Sequence, residues 1–177
     1  MAKFGEYDLF PAPLKLRYKG YFDWGGLYRL IWQWFLKRQF RVHEKRYKDK
    51  IDTALGNELE VDVWGEKEIT EYYKYRADVH YHLWESREVP VMENGKQVMR
   101  MQGRIEVRIE GLVITDWQGR YKEDNTVHKL MKMFLNKVVL KNEIEIKHID
   151  PFDKDLHRLE AEIKKFLKIE ADASGVG

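Results

Sequence analysis

The chain has 177 residues, of which 44% are hydrophobic and 35% are charged. This composition predicts one globular domain with a real core and excludes a disordered chain. The absence of cysteine excludes disulfides, thiolate zinc sites and cysteine catalysis. The N-terminus lacks a signal-peptide pattern, and the longest apolar stretch, residues 30–36, is too short to span a bilayer. We therefore expect a cytoplasmic protein without a transmembrane segment.

Positive charge is concentrated in residues 14–50, which contain eleven Lys and Arg and three acidic residues. The whole chain carries a net charge of only +2, so the remaining sequence is acidic overall. Such a segment predicts contact with nucleic acid, with an anionic membrane, or with an acidic surface of a neighbouring subunit. The alternative, which the helical spacing of its apolar residues favours, is a core-facing element whose lysines only solvate its rim.

Residues 1–13 predict an extended arm, because Pro11 and Pro13 are incompatible with a helix. Its apolar side chains must be buried against the chain's own sheet or against a neighbouring subunit. The usual behaviour of chain termini favours the chain's own sheet. If the arm instead contacts a neighbour, Phe4, Tyr7 and Phe10 are the candidate interface residues.

A basic strand begins at Leu14, where apolar and basic residues alternate up to Lys19. Asp23 is a candidate N-cap for an aromatic helix, although Gly25 and Gly26 weaken its first turn and favour a start at Leu27. Further strands are predicted from Phe40 to about Lys50 and around residues 59–63.

The clearest strand pattern is the alternation over residues 73–84, which returns over residues 105–109 after the hairpin signal Asn94-Gly95. A two-residue turn at that position places Leu83 opposite Glu106. The apolar faces match only if one residue bulges out, and we expect this bulge near Pro90 or Gly103.

Two helices are predicted near the C-terminus, one around residues 127–138 and one starting at Asp150-Pro151. Residues 139–149 fit a strand slightly better than a helix, and residues 171–177 predict a disordered tail. The fold class is therefore α+β: a twisted antiparallel sheet with a long central hairpin, an aromatic N-terminal helix and two C-terminal helices. Residues 14–170 form one domain.

The strongest candidate for metal chemistry is the set Asp78, His80 and His82. Alternation along a strand places the three side chains on one face, and two histidines with a carboxylate can bind zinc or non-haem iron. The alternative is a solvent-facing ladder in which Asp, His and Glu side chains of this face pair with Arg104 and Arg108 across strands. The frequent charges on this face favour the ladder.

A second candidate site is an apolar ligand cavity between the sheet and the helices, with its aromatic lining taken from Trp32, Trp34, Tyr73, Tyr75 and Tyr81. The serines do not occur in a nucleophile-elbow pattern, and the sequence has no glycine-rich phosphate loop. We therefore predict no catalytic residue and no cofactor.

The element order resembles the START-like helix-grip fold, which implies a sheet wrapped around the last helix and an apolar ligand. More locally, residues 18–23, 27–31 and 34–35, with His82-Leu83-Trp84 and Gly103-Arg104-Ile105, resemble small uncharacterised archaeal proteins. That second resemblance implies no activity and no catalytic residue.

The leading functional hypothesis is a non-enzymatic binding or assembly module that self-associates or forms part of a larger, virus-like particle. The alternatives are a carrier or sensor of an apolar small molecule, a metal-dependent enzyme built on His and carboxylates, and a nucleic-acid-binding protein that uses the basic residues 15–50.

Overall fold

The fold is α+β, and the computed structural model describes residues 6–50, 56–119, 126–134 and 144–168. The sheet consists of β1 (Glu6–Asp8), β2 (Leu14–Phe22), β3 (Arg41–Lys50), β4 (Asn57–Glu68), β5 (Tyr73–Glu93) and β6 (Lys96–Thr115). The described helices are α1 (Trp24–Lys37), α2 (Thr126–Phe134), a π-helical turn (Ile144–Ile149) and α3 (Asp150–Phe166).

The described strands pair in antiparallel fashion in the order β1-β6-β5-β4-β3, and β2 pairs with the same side of β6 as β1. The short β1 therefore continues the line of β2 along one edge of the sheet, while β3 forms the opposite edge. The basic segment of residues 14–50 is thus divided between two distant edges and the helix that joins them.

The long hairpin of β5 and β6 confirms both the predicted turn and the predicted bulge. Asn94 and Gly95 both have positive φ values, 51° and 76°, as a type I′ turn requires. The register shifts between Trp84 and Arg87, where two residues of β5 lie opposite Gly103 of β6. A side chain at Gly103 would approach the Ser86 Cα to 2.9 Å, so the bulge needs glycine at this point.

The hydrophobic core lies on one face of the sheet, which we call the inner face. Alternate residues of β4, β5 and β6, including Val61, Val79 and Val107, point to it. Helix α1 buries Leu27, Ile31, Trp34 and Phe35, and helix α3 buries Phe152, Leu156, Leu159 and Ile163. The apolar stripe of α3 therefore packs in the core of its own chain, and α1 is a core helix.

Helix α1 begins at Trp24, three residues before the predicted start at Leu27. The Asp23 carboxylate accepts a hydrogen bond from the Gly26 N–H at 2.8 Å, and the Leu27 N–H donates to the Asp23 carbonyl at 2.9 Å. These bonds give partners to two backbone N–H groups of the first turn, and this stabilisation outweighs the low helix propensity of Gly25 and Gly26.

A row of three small residues crosses the centre of the inner face. Gly65 of β4 pairs with Ala77 of β5, and Ala77 pairs with Gly111 of β6. A Cβ atom at Gly65 would lie 2.7 Å from the Phe35 ring, and one at Gly111 would lie 2.4 Å from a Leu156 methyl. The missing side chains therefore let both helices approach the sheet closely.

Residues 144–149 form a π-helical turn, so the predicted preference for a strand was wrong there. Ile144 and His148, four residues apart, are buried, whereas Ile146 is 65% exposed. This turn runs directly into α3, whose N-cap is Ile149 and has no side-chain capping bond, so Asp150 lies within the helix. Residues 139–143 and the tail 171–177 lie outside the described residues.

The N-terminal arm packs on its own chain where the structure describes it. Tyr7 pairs with Val113, and the Leu9 N–H donates to the Gly111 carbonyl at 2.9 Å. Phe10 meets the His157 ring edge to face at 5.4 Å. These contacts give Tyr7 and Phe10 an intramolecular role, and Phe4 lies outside the described residues. None of the described helices is long and apolar enough to cross a bilayer.

Candidate functional site

The polar residues of the sheet share its second face, which we call the outer face. Strand alternation directs the polar residues of β5 and β6 away from the helices, so this face carries an array of charged and aromatic side chains. Its members come from β2, β4, β5 and β6, and they are mostly half-buried by one another.

Glu106 of β6 is held by two arginines. Arg17 Nε of β2 donates to Oε2 at 2.6 Å, and Arg108 Nε donates to Oε1 at 2.5 Å. The two guanidinium groups lie over the carboxylate, whose side chain is only 1% exposed. Burial raises the pKa of Glu106, but the hydrogen bonds and charges of both arginines outweigh it and place the pKa below its usual range.

The three residues predicted to bind a metal are each bound to a different partner. Asp78 accepts two hydrogen bonds from Arg76, at 2.8 and 3.0 Å, and this pairing raises the pKa of Arg76 against the opposing effect of burial. His80 Nδ1 hydrogen-bonds Asp62. His82 Nε2 lies 2.8 Å from Glu58 Oε1 of β4. The three side chains are thus paired within the outer face, but with Arg76 and with two carboxylates of β4. The predicted partners Arg104 and Arg108 instead donate to Glu85 and Glu106.

A different group of metal-ligating atoms converges on one point. Glu58, Glu60 and His82 each offer one ligand atom, and these atoms lie within 4.8 Å of one another. One of the three predicted ligands, His82, belongs to this group. Asp78 and His80 do not belong to it.

The aromatic residues predicted to line a ligand cavity are packed within the chain. Trp34 and Tyr81 are 2% and 0% exposed. The rings of Tyr73 and His148 are in contact, with centroids 3.9 Å apart. The Tyr75 hydroxyl forms a hydrogen bond of 3.0 Å with His148 Nδ1, near the start of α3. Burial raises the pKa of Tyr75 to about 12, with the charge of Asp155 adding to the effect. Trp32 and Tyr81 instead contact Tyr28 of α1, at 6.0 and 6.2 Å.

An open groove of about 490 Å³ runs along the outer face where β2, β6 and β5 lie side by side, and we call it the Trp84 groove. Its lining combines one indole, two arginines, a lysine and apolar surface: Arg17, Tyr18, Lys19, Trp84, Arg104 and Ile105. Lys19 pairs across the sheet with Arg104, and Arg104 pairs with Trp84. The strand register therefore places cation, cation and aromatic ring in one row.

A second groove of about 490 Å³ adjoins the first through Lys19 and follows the bulge of β5. Its lining includes Lys19, Gly20, Gly56, Glu85, Arg87, Gln102 and Gly103. Arg104 Nη2 donates to Glu85 Oε1 at 2.5 Å, and Arg87 Nε donates to Gln102 Oε1 at 2.9 Å. Lys19 forms no ion pair with any described residue. The two grooves together hold four cations and one carboxylate.

The sequence placed Trp84 on the same strand face as Asp78, His80 and His82 but gave no reason to select it. The alternation of β5 was the one pattern that pointed to Trp84. It also predicts that the Trp84 side chain lies on the same face of the sheet as the residues paired with it on the neighbouring strands. Those partners, Lys19 and Arg104, are identified only by the register. In comparisons with known proteins, no protein-family model and no curated protein matched this sequence.

Proposed function

We propose that this chain is a non-enzymatic binding module whose Trp84 groove binds single-stranded nucleic acid. The observation that carries the proposal is the row of Lys19, Arg104 and Trp84 across three adjacent strands. The Trp84 ring is half-buried, with the His82 ring 3.9 Å away, and it lines the groove. An unpaired base can stack on an aromatic ring at such a surface, while neighbouring cations bind the phosphates on either side of the base.

The positions of the groove cations support the proposal. Arg17 and Arg104 are held by Glu106 and Glu85, yet their side chains remain 73% and 49% exposed. Their orientation is therefore fixed while their outer N–H groups still face solvent. Lys19 adds a positive charge that no described carboxylate neutralises, so the groove offers a net positive surface to an anion.

The charge of the neighbouring sheet edge also favours an anionic partner over a second copy of the chain. Among the described strands, β2 pairs only with β6, so its other edge is available. Lys15, Arg17 and Lys19 share one face of β2. Pairing this edge with the same edge of another copy would bring like charges together, which destabilises cross-strand pairs. A phosphate backbone along this edge instead brings opposite charges together.

The test is fluorescence anisotropy with a fluorescein-labelled, mixed-sequence single-stranded oligonucleotide at about 50 mM salt. We expect Trp84→Ala to weaken binding about 5- to 150-fold, because base stacking on an aromatic ring contributes about 1–3 kcal/mol. Lys19→Ala should reduce the slope of log Kobs against log salt by about 0.7, as expected for one lost phosphate contact to a single strand.

The matched control is Trp64→Ala, which removes a second half-buried tryptophan from the same face. Trp64 lies between His43 and Arg76, away from the groove cations. Its loss should leave oligonucleotide binding unchanged. The proposal fails if the wild-type chain does not bind at low salt, or if Trp84→Ala and Trp64→Ala bind equally well.

Self-association through α2 is a second candidate function, because α2 exposes a continuous apolar stripe. Val127, Leu130, Met131 and Phe134 follow helical spacing and are 48–64% exposed among the described residues. A second copy of α2 would cover this stripe.

Size-exclusion chromatography with light scattering tests this interface. If the wild-type chain is multimeric, we expect the double variant Leu130→Glu with Phe134→Glu to have the mass of one chain, 21.4 kDa. The control Ile146→Glu changes an exposed apolar residue outside α2, and an equal effect there would reject the α2 interface.

A further inference from the structure

We propose that Glu58, Glu60 and His82 form a binding site for a divalent transition-metal ion, for which Zn²⁺ is the natural probe. The site lies on the outer face, on adjacent strands β4 and β5. It goes beyond the proposed binding of nucleic acid and does not depend on it, since the three ligands do not line the Trp84 groove.

The convergence of the three side chains follows from the strand pairing. Glu60 lies directly opposite His82 in the register, which brings Glu60 Oε1 to 3.8 Å from His82 Nε2. The register then shifts between Asn57 and Leu59, and this bulge brings Glu58 Oε1 to 2.8 Å from the same nitrogen. Both carboxylates therefore approach one ring nitrogen, which is the atom that a metal ion would bind.

The distances require only a small adjustment on metal binding. Zn²⁺ lies about 2.0–2.2 Å from nitrogen and carboxylate ligands, so the ligand atoms of a tetrahedral site are about 3.4 Å apart. The observed separations from His82 Nε2 are 2.8 and 3.8 Å. Shifts of roughly half an ångström in flexible glutamate side chains bring these two separations to that value, and all the ligand atoms already lie within 4.8 Å of one another.

The chemistry of the ligand set also fits a transition metal. An imidazole with two carboxylates carries a formal charge of −2, which a divalent ion neutralises, and imidazole favours zinc over calcium or magnesium. The side chains of Glu58, Glu60 and His82 are only 15–25% exposed, so the ion would be partly desolvated. His82 is held against Trp84 with ring centroids 3.9 Å apart, which fixes the ring orientation as surrounding groups do for metal-ligating histidines.

The residues opposite the two glutamates on the edge strand are lysines. Lys48 and Lys50 of β3 pair in register with Glu60 and Glu58. Each carboxylate has two oxygens, so an ion pair on one oxygen leaves the other for a metal ion. The proposal therefore does not require these glutamates to lack other partners.

A second histidine with two acidic neighbours provides an internal comparison. On α3, His157 Nδ1 lies 3.1 Å from Glu160, whereas its Nε2 lies 3.8 Å from Asp153. The two carboxylates thus approach opposite sides of the ring and cannot share one ion with it. His157 also has two carboxylate neighbours, but their oxygens do not converge on one ring nitrogen.

The test is isothermal titration of the full chain with Zn²⁺, after dialysis against a chelator and with folding checked by circular dichroism. We expect one equivalent to bind with a micromolar dissociation constant. His82→Gln and Glu60→Gln should each weaken binding at least tenfold, while His157→Gln should leave it unchanged. The midpoint of thermal unfolding should also rise with Zn²⁺ concentration in the wild-type chain and in His157→Gln.

Proton NMR of the imidazole rings supplies a second readout, because Zn²⁺ should shift the His82 ring signals at one equivalent and leave those of His157 in place. The proposal is overturned if one equivalent of Zn²⁺ does not bind to the folded chain. It is equally overturned if His82→Gln retains wild-type affinity, or if His157→Gln loses as much affinity as His82→Gln.

Discussion

Replacement of Gly65 by alanine tests how closely α1 packs on the sheet. Gly65 has no positive φ, so its backbone accepts any residue, and alanine in a strand interior ordinarily stabilises by about 0.5–1 kcal/mol relative to glycine. The new methyl group, however, would lie 2.7 and 2.8 Å from two Phe35 ring atoms and 3.2 Å from the Phe40 Cβ. Carbon atoms prefer about 3.5–4.0 Å, so the ring must move by roughly 0.8 Å.

The Phe35 ring has little room for that movement. It is fully buried, and the rings of Trp34 and Phe40 lie 5.3 and 5.5 Å away. Overpacking of a filled core costs about 1–3 kcal/mol, which exceeds the backbone gain. We therefore expect Gly65→Ala to lower the free energy of unfolding by about 1–2 kcal/mol, measured by urea denaturation followed through tryptophan fluorescence.

The double variant Phe35→Leu with Gly65→Ala isolates the clash. Leucine lacks the ring atoms that the new methyl group would meet, so Gly65→Ala should cost at least about 0.5 kcal/mol less in the Phe35→Leu background than in the wild type. An unchanged or increased stability of the single variant would refute the reasoning, because the backbone effect would then be the larger one.

Two further substitutions test local contacts. Asp23→Ala removes the cap that accepts from the Gly26 N–H and should cost about 1 kcal/mol in urea denaturation, whereas Asp23→Asn should retain most of the stability; equal losses in both variants would contradict the capping role. Glu106→Gln should cost about 1–2 kcal/mol at neutral pH, at the low end for charged hydrogen bonds because the side chains of Arg17 and Arg108 are 73% and 41% exposed. The folded-state pKa of Glu106 lies below its ordinary value of 4.5, so its contribution is present above that pH and is lost as the pH falls through the folded pKa. The stability difference between wild type and Glu106→Gln should therefore shrink as the pH falls from 4.5 through the folded pKa, and a difference that stays constant over this range would disprove this assignment.

The sequence predicted which residues of the candidate site share one face of a strand. The alternation of β5 placed Asp78, His80, His82 and Trp84 on one face, and the structure confirms this face as the outer one. Successive residues on one face of a strand are about 7 Å apart, so Asp78, His80 and His82 are spread along β5. The metal-ligating atoms that converge in the structure come from β4 and β5, and the sequence contains no direct record of which residues become neighbours.

The same limit applies to the groove. Lys19 and Trp84 are distant in the chain and meet only because β2 and β5 pair with opposite sides of β6. The bulge at Glu85 and Ser86 then shapes the end of the groove. A bulge was predictable from the mismatch of apolar faces around Asn94-Gly95. The residues of β2 and β4 that lie beside this bulge were not predictable, because the order of the strands depends on long-range pairing.

The sequence by itself determined the local structure of this protein: the alternation in the strands, the helical spacing of apolar residues in α1 and α3, and the turn at Asn94-Gly95. These features depend on residues within one or two turns of each other, where backbone preferences and burial of one face act together. Only the tertiary structure decided that residues 144–149 form a π-helical turn, since His148 is held there by Tyr73 and Tyr75 from a distant strand. It also decided that Glu58 and Glu60 meet His82, because cross-strand contacts are selected by packing of the whole sheet and not by any short stretch of chain.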